Sequence, residues 1–301
     1  MLAKFKYRPW LTVITVFFNM KREAPRTLLS LSRGYQRLAA DIRYEVVALD
    51  HGSMEPIDPP HTLGPGVKFT YRHIATTSCS PVTAINEAAL QANGDFLMVH
   101  IDGARILSPG VLEATWRATK AFEQPFIYTL GWHLGPAVQN LSITQGYDQS
   151  KEDKLLEDID WIHDGYRLFE ASTLAMSSAG GFLNPIAESN CFTLSRRIWE
   201  DLGGFDPGFQ SPGGGLANLD FFDRASHAAG VTPVCLLGEG TFHQIHGGVA
   251  TNVLMAQHPM SSFLDEYREL RGHDWKKPDD LQPTFLGHLP ACTKRFVKLP
   301  Q

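Results

Sequence analysis

Four cysteines occur in 301 residues, Cys79, Cys191, Cys235 and Cys292, widely spaced and with no CxxC among them. This excludes a disulfide scaffold and a cysteine-based zinc module, and points to reduced thiols in a cytoplasmic protein. Long apolar runs are also missing. The strongest, Leu11 to Phe18, falls far short of the roughly 20 residues a membrane helix requires. Residues 1–9 are basic but lead into no signal-type apolar stretch with a small-residue cleavage site. Basic residues are not in excess: 27 Lys and Arg against 32 Asp and Glu give a net charge of −5, so bulk charge offers no nucleic-acid surface. No repeat period is visible. There is no GxGxxG after the first strand, no GxxxxGKS/T, no GxSxG and no HExxH. Those absences remove most dinucleotide dehydrogenases, P-loop enzymes, α/β-hydrolases and zincins.

What remains is a soluble globular composition, 43% hydrophobic and 20% charged. Its first hundred residues alternate between strand and helix patterns. Leu11 to Phe18 reads as a strand buried on both faces. Leu28, Leu31, Tyr35, Leu38 and Ile42 predict one amphipathic helix. Strands are predicted over Tyr44 to Leu49, Val67 to His73 and Asp95 to Ile101, with a helix over Val82 to Ala92 stopped by Asn93-Gly94. Further helices are expected over Pro109 to Phe122, along Leu155, Ile159, Ile162 and Tyr166, and over Ser195 to Leu202 and Asp220 to Ala229, with a strand over Phe126 to Trp132. Such alternation implies a mostly parallel sheet with right-handed crossovers. Asp50 and Asp102 each follow a strand directly, so both carboxylates belong on the rim where open α/β sheets bind ligands. An Asx-turn closing the strand is the competing reading of each.

Several segments, in order, carry a resemblance. Val13-Ile14-Thr15-Val16-Phe17-Phe18-Asn19 and Val46 through Ser53 resemble the first two strands of family 2 (GT-A fold) glycosyltransferases. Asn86-Glu87-Ala88, Gly94-Asp95-Phe96 and Ile101-Asp102-Gly103 resemble the approach to that family's DxD motif. Glu188 through Phe192 and Leu202 through Phe209 resemble its acceptor-side segment. Gly213-Gly214-Gly215 with Asn218-Leu219-Asp220 sit where it carries a glycine loop and an acidic motif, and His243 through Gly248 resemble its late metal-binding histidine. The resemblance spans roughly residues 10–250. It implies a GT-A-like, Rossmann-type α/β domain over residues 1–271, with a nucleotide-binding half near 10–105 and an acceptor half over 106–271. Residues 272–301, with Pro278, Pro283, Pro290 and Pro300, read as an extended tail.

By the same resemblance the activity is transfer of a sugar, of hexosyl type, from a nucleoside-diphosphate donor to a hydroxyl of a glycan or lipid-linked acceptor, as in polysaccharide biosynthesis. Phe17, Asn19, Asp50, Gly52, Ser53, Asn86, Asp102 and Gly103 are the nucleotide-side candidates. Gly213, Gly214 and Gly215 form the acceptor loop, and Asp102, His243 and His246 could ligate Mn²⁺ or Mg²⁺. Asp220 and Glu188 are candidate bases, with Asn218 suited to orienting a hydroxyl. Two departures stand out: Ala104 replaces the last DxD carboxylate, and Asn218 stands where the base is expected. Arg105 could neutralise phosphate without a metal, or pair with a neighbouring acid. Asn86 could instead bond locally, Asp220 could cap its helix, and the histidines could be hydrogen-bonded loop residues. Trp132, Trp161, Tyr166 and Trp199 offer either sugar-stacking faces or core packing. Lys294, Arg295 and Lys298 belong to a solvated terminus or a peripheral membrane contact. Two other classes stay open: a non-catalytic nucleotide- or sugar-binding relative, and a nucleotidyltransferase of related fold.

Overall fold

The computed structural model describes residues 9–299; the basic segment before Pro9 and residues 300–301, Pro300 among them, lie outside the described residues. The elements run β1 Leu11–Phe17, α1 Ala24–Ser30, β2 Tyr44–His51, β3 Val67–Ile74, α2 Val82–Gln91, β4 Phe96–His100, β5 Arg105–Leu107, α3 Val111–Ala121 and β6 Pro125–Leu134. Then follow α4 Gln139–Ser142, α5 Gln149–Asp158, β7 Ser172–Leu174, β8 Cys191–Ser195, α6 Arg196–Asp201, α7 Ala217–Ser226, β9 Thr232–His243, α8 Met260–Arg271 and β10 Thr284–Gly287.

The strands form a single sheet in the order β10-β9-β6-β8-β4-β1-β2-β3, with β5 paired to β9 and β7 to β6. Along that path only β8 runs antiparallel to its two neighbours. The expected α/β class, a mostly parallel sheet flanked by helices, is what the chain adopts. Both faces of the central strands are covered, which is why they read as continuous apolar runs. Ile14, Val16, Val47, Leu49, Leu97 and Val99 face one core, while Val13, Phe17, Val46, Ala48 and Met98 face the other.

Three expected helices differ from those observed. The stripe from Leu28 to Ile42 is helical only to Ser30, because the Gln36 side chain folds back and donates to the Ser30 carbonyl (2.7 Å). The 155–166 stripe also fails. Its helix starts earlier, where Asp148 caps the Lys151 N–H (2.9 Å), and ends before Asp160, which takes a left-handed φ of 49° and leaves Ile162 exposed. The helix expected from Asp220 begins three residues sooner, putting Asn218 and Asp220 in its first turn. In the tail, β10 adds a parallel edge strand to β9. Among the described residues no helix is long and apolar enough to cross a membrane.

Candidate active site

Parallel β1, β2 and β4 end on one rim, and Asp50 and Asp102 both sit there, at the end of β2 and two residues beyond β4. Asp102 is placed by its own loop. Its Oδ1 accepts the Ala104 N–H (3.0 Å) and its Oδ2 pairs with Arg105 Nε (3.2 Å). Gly103 is required next to it. Its N–H reaches the Val16 carbonyl (2.7 Å), and a Cβ there would run into that carbonyl and the Phe17 ring. Thr27 Oγ1 donates to the Gly103 carbonyl (2.6 Å) and Gln244 N–H to the Ala104 carbonyl (2.8 Å). The loop is therefore tied to β1, α1 and the end of β9 at once.

β9 delivers the histidines. Its last residue, His243, stands opposite Arg105 on β5 and His133 on β6. His243 Nε2 lies 3.1 Å from Asp102 Oδ2 and 3.2 Å from His246 Nε2, and His246 Nε2 lies 4.0 Å from Asp102 Oδ1. One ligand atom from each residue falls within 4.8 Å of the others. Burial pushes the His243 ring down to about 4 despite the opposing pull of Asp102, so the ring is neutral at pH 7. Burial works against ionisation of Asp102, yet the charges around it, the Arg105 guanidinium among them, hold it well below the ordinary carboxylate range. A carboxylate and two imidazoles converging on one point make a mixed O/N donor set that could hold a divalent cation, with water or ligand oxygens completing the shell.

The other nucleotide-side candidates are more enclosed. Asp50 is fully buried; its Oδ2 accepts the Ile57 N–H (2.8 Å) and the Tyr71 hydroxyl (3.0 Å), while its Oδ1 finds no partner among the described residues. Phe17, opposite Asp50 in the β1–β2 register, is likewise buried. Asn19, left-handed at φ 52°, donates its N–H to Ser53 Oγ (2.8 Å) and accepts the Met54 N–H (3.0 Å), joining the β1 and β2 loops, with Gly52 at φ 76°. Asn86 is bonded to a distant segment of the chain. Its amide clasps both the N–H and the carbonyl of Phe205, at 3.1 and 2.8 Å.

On the acceptor side, Asn218 Nδ2 donates to Glu188 Oε2 (2.6 Å) and to the Ser189 carbonyl (3.1 Å), while Asn218 Oδ1 is buried with no partner among the described residues. Burial raises the Glu188 carboxyl, on which the charges of Arg105 and Asp102 also act. Asp220 is held in ion pairs. Its oxygens are taken by Arg271 (2.6 and 2.8 Å) and Arg224 (2.9 Å). Gly213, Gly214 and Gly215 adopt φ of 70°, 88° and 52°, conformations that side chains avoid, in a turn anchored by Gly213 N–H to the Cys79 carbonyl (2.9 Å). Trp132, Trp161 and Trp199 are buried, which removes them as sugar-stacking faces.

Sequence reasoning missed Gln139 and Asn252, both next to the histidine pair. Neither lies in a recognisable pattern, because their partners are more than 100 residues away or sit in a loop.

No family model matches this sequence, and no curated protein matches it. Among solved structures it is similar to S. aureus TarS 1–349 in complex with UDP-GlcNAc, at 15% identity over 86% of this chain and 65% of that one, with a TM-score of 0.49. It is also similar to the mannosyltransferase PcManGT from Pyrobaculum calidifontis in complex with GDP-Man and Mn²⁺, at 16% identity over 91% of this chain and 67% of that one, with a TM-score of 0.46. A longer S. aureus TarS structure matches at 13% identity over 78% of this chain, with a TM-score of 0.48, and the chain spans 36% of its length.

Proposed function

We propose that this chain is a metal-assisted glycosyltransferase that moves a sugar from a nucleoside-diphosphate donor to a hydroxyl acceptor. The observation that carries the reading is the Asp102–His243–His246 cluster, set at the carboxyl rim of the parallel strands and stitched there by the 102–105 loop. A divalent cation bound to these three side chains would neutralise charge on the departing diphosphate.

The chain's own residues supply the rest. Asp50 Oδ1, lacking a protein donor, is suited to accept an N–H of the nucleobase once the 51–58 loop parts. Glu188, raised by burial and held by Asn218, takes the proton of the attacking hydroxyl as the new C–O bond forms and the bond to the diphosphate breaks. Burial at that position moves a carboxyl toward neutral pH, which is what a general base requires. The turn at Gly213–Gly215 leaves room beside the acceptor because no Cβ intervenes. Asp220, occupied by two guanidiniums, serves the fold instead.

A second reading, binding without turnover, draws on Ala104, which is fully buried where a further carboxylate would complete the DxD pattern. Thermal-shift screening of nucleoside diphosphates and their sugars, with and without Mn²⁺, followed by assay of nucleoside-diphosphate release, separates the two. Mn²⁺-dependent stabilisation with release that is lost in Asp102→Ala and Glu188→Gln supports the transferase. Stabilisation with no release supports the binding protein, and no stabilisation by any nucleotide refutes both.

A further inference from the structure

An uncharged imidazole has two tautomers, and only the one protonated at Nδ1 leaves the His243 Nε2 free to face Asp102 and His246. The surrounding amides select between them. Three backbone N–H groups, of His246, Gly247 and Gly248, converge on one atom of the Asn252 side chain at 2.9, 3.0 and 3.0 Å. Only an oxygen can accept all three, so that atom is Oδ1 and the other is the NH₂ group. Asn252 Nδ2 then donates to Gln139 Oε1 (2.9 Å), while Gln139 Nε2 donates to the His243 carbonyl (2.9 Å). Both bonds fix the Gln139 amide in the same sense. Gln139 Oε1 therefore meets His243 Nδ1, at 2.6 Å, as an acceptor, and Nδ1 must carry the proton.

Resting on the metal reading above, we propose that Asn252 and Gln139 are positioning residues, an amide relay that holds His243 as its Nδ1–H tautomer and keeps the Nε2 lone pair open to a divalent cation. The arrangement has a physical cost that a cation relieves. With Nδ1 protonated, the Nε2 lone pair points at Asp102 Oδ2 only 3.1 Å away, two acceptors face to face. His246 Nε2–H or the Thr251 hydroxyl can donate to Nε2, at 3.2 and 3.4 Å, in the absence of a cation. Gln139 is fully buried, so water does not compete for its amide. Neighbours that orient a metal-ligating histidine in this way commonly contribute ten- to a hundredfold in metal affinity.

The test is long-range ¹⁵N–¹H NMR of the imidazoles in the metal-free full chain at pH 7.5, alongside Mn²⁺ titration. His243 is expected to show a protonated Nδ1 and a bare Nε2. Gln139→Met should mix the tautomers and weaken Mn²⁺ binding by about ten- to a hundredfold, whereas Gln139→Glu, which keeps an acceptor at Nδ1, should preserve the Nδ1–H signal. Asn252→Asp, unable to donate to Gln139, should shift His243 toward Nε2–H. An Nε2–H signal in the unaltered protein overturns the proposal, and so does a signal that Gln139→Met and Asn252→Asp both leave unchanged. The metal reading fails by a different result: Mn²⁺ binding undiminished in Asp102→Ala and His246→Ala.

Discussion

Replacing Asp220 by asparagine separates a base from a structural ion pair. Asp220 is buried on the first turn of α7, with Arg271 gripping both of its oxygens and Arg224, one turn on, pairing with Oδ2. Removing one partner of a buried ion pair costs about 3–5 kcal/mol. Here the guanidiniums are partly wet, with side chains 21% and 30% exposed. Each also keeps other partners: Asp206 at 2.7 Å for Arg271, and the Leu202 and Gly204 carbonyls, both at 2.9 Å, for Arg224. Asparagine retains one acceptor oxygen as well. Discounted for these, the loss is about 2 kcal/mol, read as a lower midpoint in urea unfolding. Below that transition, Mn²⁺ affinity and nucleoside-diphosphate release should persist in Asp220→Asn while release falls in Glu188→Gln. Unchanged stability together with a loss of release on the order of a hundredfold or more in Asp220→Asn would refute this reasoning and return Asp220 to the role of base.

Gly103→Ala should cost about 1–3 kcal/mol, because the added Cβ meets the Val16 backbone, which cannot swing aside. It should also weaken Mn²⁺ binding by displacing Asp102; a variant that melts and titrates like the parent argues against tight packing as the device that sets this loop. The pH dependence of stability has a sign that follows from His100, which is fully buried and which burial pushes down to about 3. Below its ordinary value near 6.5 the unfolded chain takes a proton that the folded chain refuses. Stability is therefore whole above pH 6.5 and falls with acid, by up to about 1.4 kcal/mol per pH unit for this histidine. Urea unfolding between pH 7.5 and 5 should show a shallower decline in His100→Gln, and parallel curves would contradict the assignment.

The alternation of apolar strands and glycine- or asparagine-terminated helices made the α/β class readable, since strands covered on both faces must be apolar throughout. Asp50 and Asp102 were legible as well, because each stands at the end of a strand or just beyond it, whereas the His243–His246 pair entered only through the family resemblance. Two helix stripes misled. Leu28 to Ile42 and Leu155 to Tyr166 keep a helical spacing, yet a returning glutamine side chain and a left-handed aspartate end those helices early. Asp220 and Asn86 looked chemical in sequence, and their partners, Arg271 and Phe205, lie more than 50 residues away in the chain.

Local pattern alone thus determined β1, β2, β3, β4 and β6, though not the other five strands, and on which rim Asp50 and Asp102 stand, because a parallel strand's direction sets where its end residue lies. Only the tertiary structure decided what those groups face. Between Cys235 and Gly240, β9 takes five steps while β6 takes two, from Tyr128 to Leu130. Those three extra residues are an odd number, so they reverse the alternation of faces in β9 relative to its neighbour. Which way His243 points is set by that irregularity, and what it meets there, Asp102, Gln139 and through it Asn252, comes from three separate parts of the chain. No periodicity in one segment encodes a meeting of that kind.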